Sequence, residues 1–216
     1  MRKSLVGLLV AALTIPAVAA AQDPNYVTHP WMVRGRAIYV APTAGTSILA
    51  EGSLDIPVEV GNDVTFEIDI SRRFGKYFGA ELILATAAHE VRIEDGASLG
   101  SVHILPPTLL AQFHLPLAGK VHPYIGAGVN LTIIYDKTGV LETPALAGLP
   151  GDEITLGTSV GPAGQVGVDF DISERAVLNV DFKYVGLKTN LELDANSLGD
   201  VNVDPIIFGV GFGYRF

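Results

Sequence analysis

Cysteine is absent from the chain, and beyond its first 21 residues no apolar run reaches the length of a transmembrane helix. The lack of cysteine excludes disulfide bonds, thiolate metal sites, thiol catalysis and an N-terminal lipid anchor on cysteine. Charged residues are few, at 17% of 216 residues, and the formal net charge is −9. This acidity argues against a nucleic-acid partner, because a protein that binds nucleic acid is expected to present a basic face.

The chain is instead rich in hydrophobic residues, more so than a soluble protein of this length is expected to be. They make up 49% of the sequence, and the mean hydropathy is +0.38. A membrane-spanning β-barrel accounts for this composition, because its strands alternate between an apolar face toward lipid and a polar face toward the interior. The composition therefore favours strands over helices as the elements that cross a membrane.

Residues 1–21 have the pattern of a secretory signal peptide. Two cations near the start precede a short apolar stretch at 5–15, and small residues follow it. Cleavage is expected after Ala19 or Ala21, which leaves 22–216 as the mature domain. A membrane anchor is the alternative, but the apolar stretch is shorter than the roughly 20 residues that a spanning helix needs.

The C-terminal segment has the clearest two-residue periodicity. Apolar residues occupy every second position from Phe208 to Phe216, and glycines and Arg215 lie between them. An aromatic residue that ends such a strand resembles the signal by which the assembly machinery recognises bacterial outer-membrane barrels. We therefore predict that Phe212, Tyr214 and Phe216 form this signal, with the assembly machinery as a partner. The alternative is an amphipathic strand of a soluble sandwich.

Seven further segments alternate in the same way, and the connections between the eight segments differ in length. The predicted strands are 31–41, 63–71, 77–88, 106–115, 122–135, 160–171, 176–192 and 204–216. The long connections are 42–62, 89–105, 136–159 and 193–203, and the short ones are 72–76, 116–121 and 172–175. Transmembrane barrels have long extracellular loops and short periplasmic turns, so both termini are expected on the periplasmic side.

These observations predict an all-β fold, an eight-stranded antiparallel transmembrane β-barrel with short periplasmic turns and four long extracellular loops in a bacterial outer membrane. The sheet must close, because lipid cannot satisfy the backbone groups of a free edge. Polar residues at the inward positions would then form either a selectivity lining or, as we prefer, a mutually neutralising network that seals the periplasmic half. They are Arg34, Arg36, Glu67, Asp69, Glu81, Gln112, His114, Gln165, Asp169, Asn179, Asp181, Lys183 and Arg215.

Signals for catalysis, cofactors or metals are weak. The five histidines are scattered singly, and a metal site has weak support; His89 and His103 flank the second long connection and are the only two that could meet. Small outer-membrane lipid A deacylases carry a His-x-Ser pair, and no histidine here has a serine two residues on. We therefore predict no catalytic, cofactor or metal site.

Four ordered segments give the chain a specific resemblance to a known family. They are HILPPTLLAQF at 103–113, HPYIGAGVN at 122–130, GPAGQVGVDF at 161–170 and VDPIIFGVGFGYRF at 203–216. They resemble the OmpW family of outer-membrane proteins, over nearly all of the mature chain. The resemblance implies a barrel with a narrow, largely apolar channel, which takes up small hydrophobic molecules passively and releases them sideways into the membrane.

The resemblance also implies roles for individual residues. Ile83 matches an apolar constriction on the inward face of the third strand. The resemblance also implies an inward aromatic that completes that constriction, and Lys183 stands at its position, so a charged side chain replaces the aromatic here. Pro106 and Pro107 match the family and are expected at the start of the fourth strand, where they end the strand or open a lateral gap.

Two functions remain open at this stage. The first is a channel for small hydrophobic solutes, which would enter through an apolar funnel in the long loops. The second is a non-conducting structural or receptor barrel whose loops bind phage, bacteriocins or host surfaces; in both cases outer-membrane lipid and lipopolysaccharide are expected partners. The funnel residues would be Ile48, Leu49, Leu54, Ile56, Leu99, Ile104, Leu105, Leu141, Leu146 and Leu149.

Overall fold

The computed structural model describes most of the chain after the predicted signal peptide, which itself lies outside the described residues. The described ranges are 28–43, 46–50, 54–93, 98–117, 119–138, 154–156, 158–193, 196–202 and 204–216. Within these ranges, no helix combines the length and the apolar character needed to cross a membrane.

The described residues form fifteen strands. In chain order they are β1 (Trp31–Ala41), β2 (Thr46–Ala50), β3 (Leu54–Val60), β4 (Asp63–Phe74), β5 (Phe78–Ala85), β6 (Ala87–Ile93), β7 (Ser98–Leu105), β8 (Thr108–His114), β9 (Val121–Thr138), β10 (Ile154–Leu156), β11 (Ser159–Asp171), β12 (Ala176–Val185), β13 (Lys188–Leu193), β14 (Asn196–Asn202) and β15 (Ile206–Arg215).

Eight of these strands close into an antiparallel barrel, which confirms the predicted fold. The order around the ring is β11, β12, β15, β1, β4, β5, β8 and β9, and β9 pairs with β11 to complete it. Closure between β9 and β11 runs from Ser159↔Thr132 to Phe170↔Val121. The first and last barrel strands pair from Met32↔Arg215 to Ala41↔Ile206, so each of the eight strands has a partner on both sides.

Alternation of side chains sets the two faces of the wall. On β4, Val64, Phe66 and Ile68 are 70%, 75% and 62% exposed, whereas the intervening Glu67 and Asp69 are buried inside. Successive side chains of a strand point to opposite faces. The apolar outer surface and the charged interior therefore come from the same stretch of sequence.

Three short turns join barrel strands at the end where β1 begins and β15 ends, here called the short-turn end. Gly75 and Gly119 in two of these turns have φ angles of 74° and 104°. Glycine adopts such positive φ values without the steric cost that other residues incur. At this end, the backbone N–H of Phe216 donates to the carbonyl of Trp31 at 2.9 Å.

The long connections are at the opposite end, here called the loop end, and they contain further strands. From β9 the sheet continues outward through β7, β6, β3 and β2, while β10, β13 and β14 form a separate three-stranded sheet. The prediction of one strand over 176–192 was wrong in detail, because β12 ends at Val185 and β13 begins at Lys188. Gly186 lies at this interruption, where its N–H donates to the carbonyl of Pro162.

Candidate functional site

The barrel interior contains every polar residue that the sequence placed there. All thirteen, from Arg34 to Arg215, are at most 6% exposed. Buried charges are tolerated only when they are paired and hydrogen-bonded. The pairing within this set therefore decides what the interior can do.

Arg34 on β1 binds three carboxylates from three other strands. Its guanidinium lies 2.8 Å from Asp69, 2.9 Å from Glu81 and 3.1 Å from Asp169. These partners lie on β4, β5 and β11, so one side chain ties together strands from across the barrel. Its guanidinium carbon also lies 5.5 Å from the ring centre of Tyr124.

Arg36, the next inward residue of β1, has a similar set of partners. Its guanidinium lies 2.6 Å from Glu67, 2.9 Å from Glu81 and 2.7 Å from Asp181, and it also contacts Asp69. Lys183 adds a third cation, which pairs with Glu67 at 2.5 Å and Asp181 at 2.8 Å. The two arginines share Asp69 and Glu81, so their ion pairs form one continuous network.

Neutral side chains add three further hydrogen bonds to this network. Gln112 Nε2 donates to Glu81 at 2.7 Å, and Gln165 Nε2 donates to Asp181 at 2.9 Å. Asn179 Nδ2 donates to Asp169 at 2.7 Å. The charged members are here called the polar plug, because together they fill the lumen from wall to wall: Arg34, Arg36, Glu67, Asp69, Glu81, Asp169, Asp181 and Lys183.

Two of the predicted interior residues lie nearer the short-turn end. Arg215 pairs with Asp171 at 2.7 Å, and His122 Nε2 lies 2.9 Å from the other oxygen of the same carboxylate. His114 Nε2 lies 3.2 Å from Gln112 Oε1, and its ring packs against Tyr124. The predicted polar set therefore comprises the plug, the three amide side chains bonded to it, and His114 and Arg215 nearer the short-turn end.

Above the plug, toward the loop end, the lumen becomes a partly open cavity with a mainly apolar lining. Ile38 and Val40 follow Arg36 at the next inward positions of β1, and Val185 and Leu187 follow Lys183. The full lining of this cavity is Ile38, Val40, Glu67, Ile83, Ala85, Pro106, Thr108, Asn130, Lys183, Val185, Leu187, Pro205 and Ile207.

The wall beside this cavity has an interruption, here called the proline break. Pairing of β5 with β8 ends at Ile83↔Thr108, and pairing on that side resumes with Ala87↔Ile104 of β6 and β7. Between them lie Pro106 and Pro107, which cannot donate to a ladder. Ala85, Pro106 and Thr108 all line the cavity, so the cavity extends to the break.

Asn130 on β9 stabilises the break from the neighbouring strand. Its Nδ2 donates to the carbonyl of Pro106 at 3.2 Å and to Thr108 Oγ1 at 2.7 Å. The N–H of Leu131 donates to the carbonyl of Pro107 at 2.9 Å. The prolines are thus fixed on the β9 side and left without a ladder on the β5 side.

The two predicted constriction residues both line the cavity, but they differ in environment. Ile83 packs with Leu110, Ala163 and Val185 in a buried apolar cluster. Lys183 lies at the base and is bonded into the plug. The sequence analysis assigned no role to Asn130, nor to the apolar lining residues other than Ile83. Ile38 and Val40 could have been identified, because they continue the inward alternation of Arg34 and Arg36 along β1.

The structure describes little of the predicted funnel and of the two histidines beside the second long connection. Of the ten funnel residues, only Leu105 has a described side chain, which is half-buried; the others lie outside the described side chains. The backbone register pairs His103 with Ala88 and His89 with Val102. In the described part of the chain, no group of three or more histidine and acidic side chains could hold a metal ion.

Comparison with known proteins agrees with this architecture. A model of the OmpW family matches residues 30–216. The chain is 32% identical over 214 residues to "Outer membrane protein W" of Escherichia coli, which covers 97% of this chain and 99% of that protein. It is also 32% identical to "Uncharacterized outer-membrane protein y4mB" of Sinorhizobium fredii, covering 97% and 90%. The crystal structure of the outer membrane protein OprG from Pseudomonas aeruginosa superposes with a TM-score of 0.73 at 26% identity, covering 87% and 96% of the two chains.

Proposed function

The chain belongs to the OmpW family of outer-membrane β-barrels, and on this premise we propose that it takes up small hydrophobic molecules passively and releases them sideways into the membrane. The proposal includes no catalytic step, cofactor or metal. It places the loop end outside the cell and the short-turn end, with both termini, in the periplasm. Long loops face outward in outer-membrane barrels in general.

The observation that carries this proposal is the apolar cavity above a closed polar plug. Seven of its lining residues are aliphatic, and it lies on the loop-end side of the plug. An apolar solute gains free energy by leaving water for such a surface. The same solute would have to disrupt buried ion pairs to continue through the plug, which is costly because each separated charge loses its partner.

The proline break supplies the alternative path. It adjoins the cavity at Ala85, Pro106 and Thr108, and the outer face beside it carries Leu84 and Leu109, which are 46% and 54% exposed. These side chains face the acyl chains in an outer-membrane barrel. A solute that leaves through the break therefore passes from an apolar cavity to lipid without crossing the polar plug.

Uptake by proteoliposomes tests the proposal. An apolar solute should enter faster than a polar one of equal size, and equal rates, or no acceleration of either, would contradict it. Replacing both break prolines, Pro106→Ala with Pro107→Ala, restores two backbone donors and should slow apolar uptake several-fold. Pro123→Ala, on β9 near the short-turn end, is the matched control and should leave the rate unchanged.

A receptor or structural barrel is the second candidate, and the loop-end strands favour it. β9 extends as far as Thr138 and pairs with β7 from Leu105↔Ile133 outward, so an ordered sheet continues beyond the barrel. Such a surface is suited to binding a phage, a bacteriocin or a host surface, and lipopolysaccharide would surround it. A wild-type barrel that accelerates no solute but binds one of these partners would support this candidate.

We also propose that the C-terminal aromatic residues are the signal for the assembly machinery. Phe212, Tyr214 and Phe216 all lie on the outer face and are 66%, 51% and 50% exposed. Their side chains thus form a row of aromatic rings on one face of the C-terminal segment, where a partner can contact them.

A further inference from the structure

Two polar side chains lie at the base of a cavity that is otherwise mainly apolar. Lys183 and Glu67 both line the cavity, and around them are Ile38, Ile83 and Ile207. A purely apolar solute would gain nothing from these two groups. Their hydrogen-bonding capacity therefore bears on which solutes the cavity accepts.

Lys183 retains one hydrogen-bond donor. Its ammonium group has three N–H bonds, and Nζ donates to Glu67 Oε1 and to Asp181 Oδ2 at 2.5 and 2.8 Å. Within the described chain, no acceptor is assigned to its third N–H. The side chain is held in place by its two carboxylate partners, so the remaining donor has a fixed position at the base of the cavity.

Glu67 retains one acceptor beside this donor. Its Oε1 lies close to two cations, 2.5 Å from Lys183 Nζ and 2.6 Å from Arg36 Nε. The second oxygen, Oε2, receives no hydrogen bond from the side chains that the structure describes. The base of the cavity thus presents one donor and one acceptor next to each other.

From this arrangement we infer that the cavity selects neutral amphiphiles with a hydroxyl head group, bound with the head on Lys183 and Glu67 and the aliphatic tail toward the loop end. A hydroxyl group is both a donor and an acceptor, so it can accept from Lys183 and donate to Glu67 at once. This inference rests on the proposed function, since it names the solute class of the same cavity.

The charge of the plug disfavours an anionic head group. The plug contains three cations, Arg34, Arg36 and Lys183, and five carboxylates. A bound carboxylate would add to this excess of acidic groups, whereas a hydroxyl would not. An alkylammonium has the favourable sign of charge, but it has no acceptor for the Lys183 proton and must lose its own hydration.

Binding to the mature barrel in lipid nanodiscs tests the inference. The ligands are octane, 1-octanol, octanoate and octylamine, and the readout is NMR of the Ile83 and Ile207 methyl groups, with barrel-free nanodiscs correcting for partition into lipid. Lys183→Met keeps the side-chain length and removes the donor, so it should weaken 1-octanol binding about five- to tenfold, the worth of one hydrogen bond. It should leave octane binding within about twofold.

Two further variants complete the design. Lys120→Met, outside the cavity, is the matched control and should change neither ligand. Glu67→Gln preserves shape and removes one carboxylate, so it should strengthen octanoate binding; folding of each variant is checked by heat-dependent gel mobility.

The inference is overturned if Lys183→Met changes octane and 1-octanol binding equally, or changes neither. It is also overturned if octanoate or octylamine binds wild type as tightly as 1-octanol. In those cases the cavity methyls still respond to octane, and the proposed uptake function stands. If no ligand perturbs the cavity methyls, the cavity takes no apolar solute and the proposed function fails as well.

Discussion

The two halves of the lumen are formed by inward-facing residues of the same strands, yet they have opposite chemistry. Arg34 and Arg36 of β1 are followed by Ile38 and Val40, and Lys183 of β12 is followed by Val185. The lower half is a polar plug of shared ion pairs, and the upper half is an apolar cavity. Two residues along a strand are enough to change the interior from charged to apolar, because strand geometry keeps both on the inner face.

The comparison also separates two kinds of constraint. A buried ion-pair network contributes little net stability relative to well-packed apolar residues, but the removal of one partner leaves an uncompensated charge. An apolar cavity tolerates changes in volume and loses binding capacity instead. Substitutions in the plug should therefore act on stability, and substitutions in the cavity should act on uptake.

The largest expected effect is from Arg36→Met in the plug. Arg36 has four carboxylate partners, and its loss leaves them to repel one another. We expect the free energy of unfolding to fall by about 3–5 kcal/mol, measured by denaturant unfolding in lipid vesicles.

Arg72→Met is the control for that substitution. Arg72 lies on the outer face of the same barrel and contacts the rings of Trp31 and Phe74. A change of similar size in both variants would show that the plug has no special role in stability.

Gly211→Ala tests how tightly the plug level is packed. A Cβ on Gly211 would lie 2.6 Å from Cα of Arg36 and closer still to the carbonyl oxygen of Gly35. Because backbone atoms cannot yield as a flexible side chain does, we expect a loss of about 1–3 kcal/mol in unfolding free energy. Gly35→Ala, on the adjacent strand where the Cβ meets nothing within 4 Å, should be nearly neutral, and equal losses would refute the packing argument.

Ala85→Trp fills the cavity beside the proline break. Ala85 lines the cavity and packs with Ile38 and Val40. We expect the rate of apolar uptake to fall about tenfold, which corresponds to an activation free energy higher by roughly 1.4 kcal/mol. The free energy of unfolding should change little. Ala127→Trp on the lipid face is the control; an undiminished rate in the Ala85 variant would mean that the solute does not use this cavity.

Asn130→Ala should have a smaller effect, confined to the break. The substitution removes the donors to Thr108 and Pro106, and each net hydrogen bond contributes on the order of 1 kcal/mol. Hydrogen exchange of the Leu131 amide should become faster while amides at the plug level keep their protection. Faster exchange throughout the barrel would argue against a local role for Asn130.

Deletion of Phe216 should leave both halves of the lumen unaltered, because its side chain lies on the outer face. Fewer folded barrels should accumulate in the outer membrane, whereas the secreted amount and the unfolding free energy of assembled barrels remain unchanged. Cell fractionation with heat-dependent gel mobility measures this. Normal assembly of the deletion variant would show that Phe216 is not part of the signal.

Strand number, closure and the inner and outer faces could be predicted from sequence because they depend on local alternation. The run from Val64 to Ile70 is sufficient to assign both faces of β4. The interruption of β12 after Val185 could not be predicted, because the alternation continues through Lys188 while the pairing partners change from β11 to β10 on one side and from β15 to β14 on the other. Such a change depends on the paths of neighbouring strands.

The chemistry of the site was only partly accessible in the same way. The inward polar residues could be identified by parity, but their partners span separations such as the 135 residues between Arg34 and Asp169. Lys183 lies at the base of the cavity because of the stagger between neighbouring strands around the ring, and the alternation within one strand does not reveal that stagger. The sequence also showed the two prolines at 106 and 107, but not Asn130, which fixes them from β9.

The path of the solute is the central claim, and photo-crosslinking measures it directly. An alkane with an aliphatic diazirine is added to wild-type barrels in vesicles, illuminated, and its adducts are located by mass spectrometry. We predict adducts inside the lumen at Ile38, Ile83 and Ile207, above the plug. Adducts at Met32 or Val177, which are buried inside the barrel below the plug, would mean that the solute passes through it and would contradict lateral release.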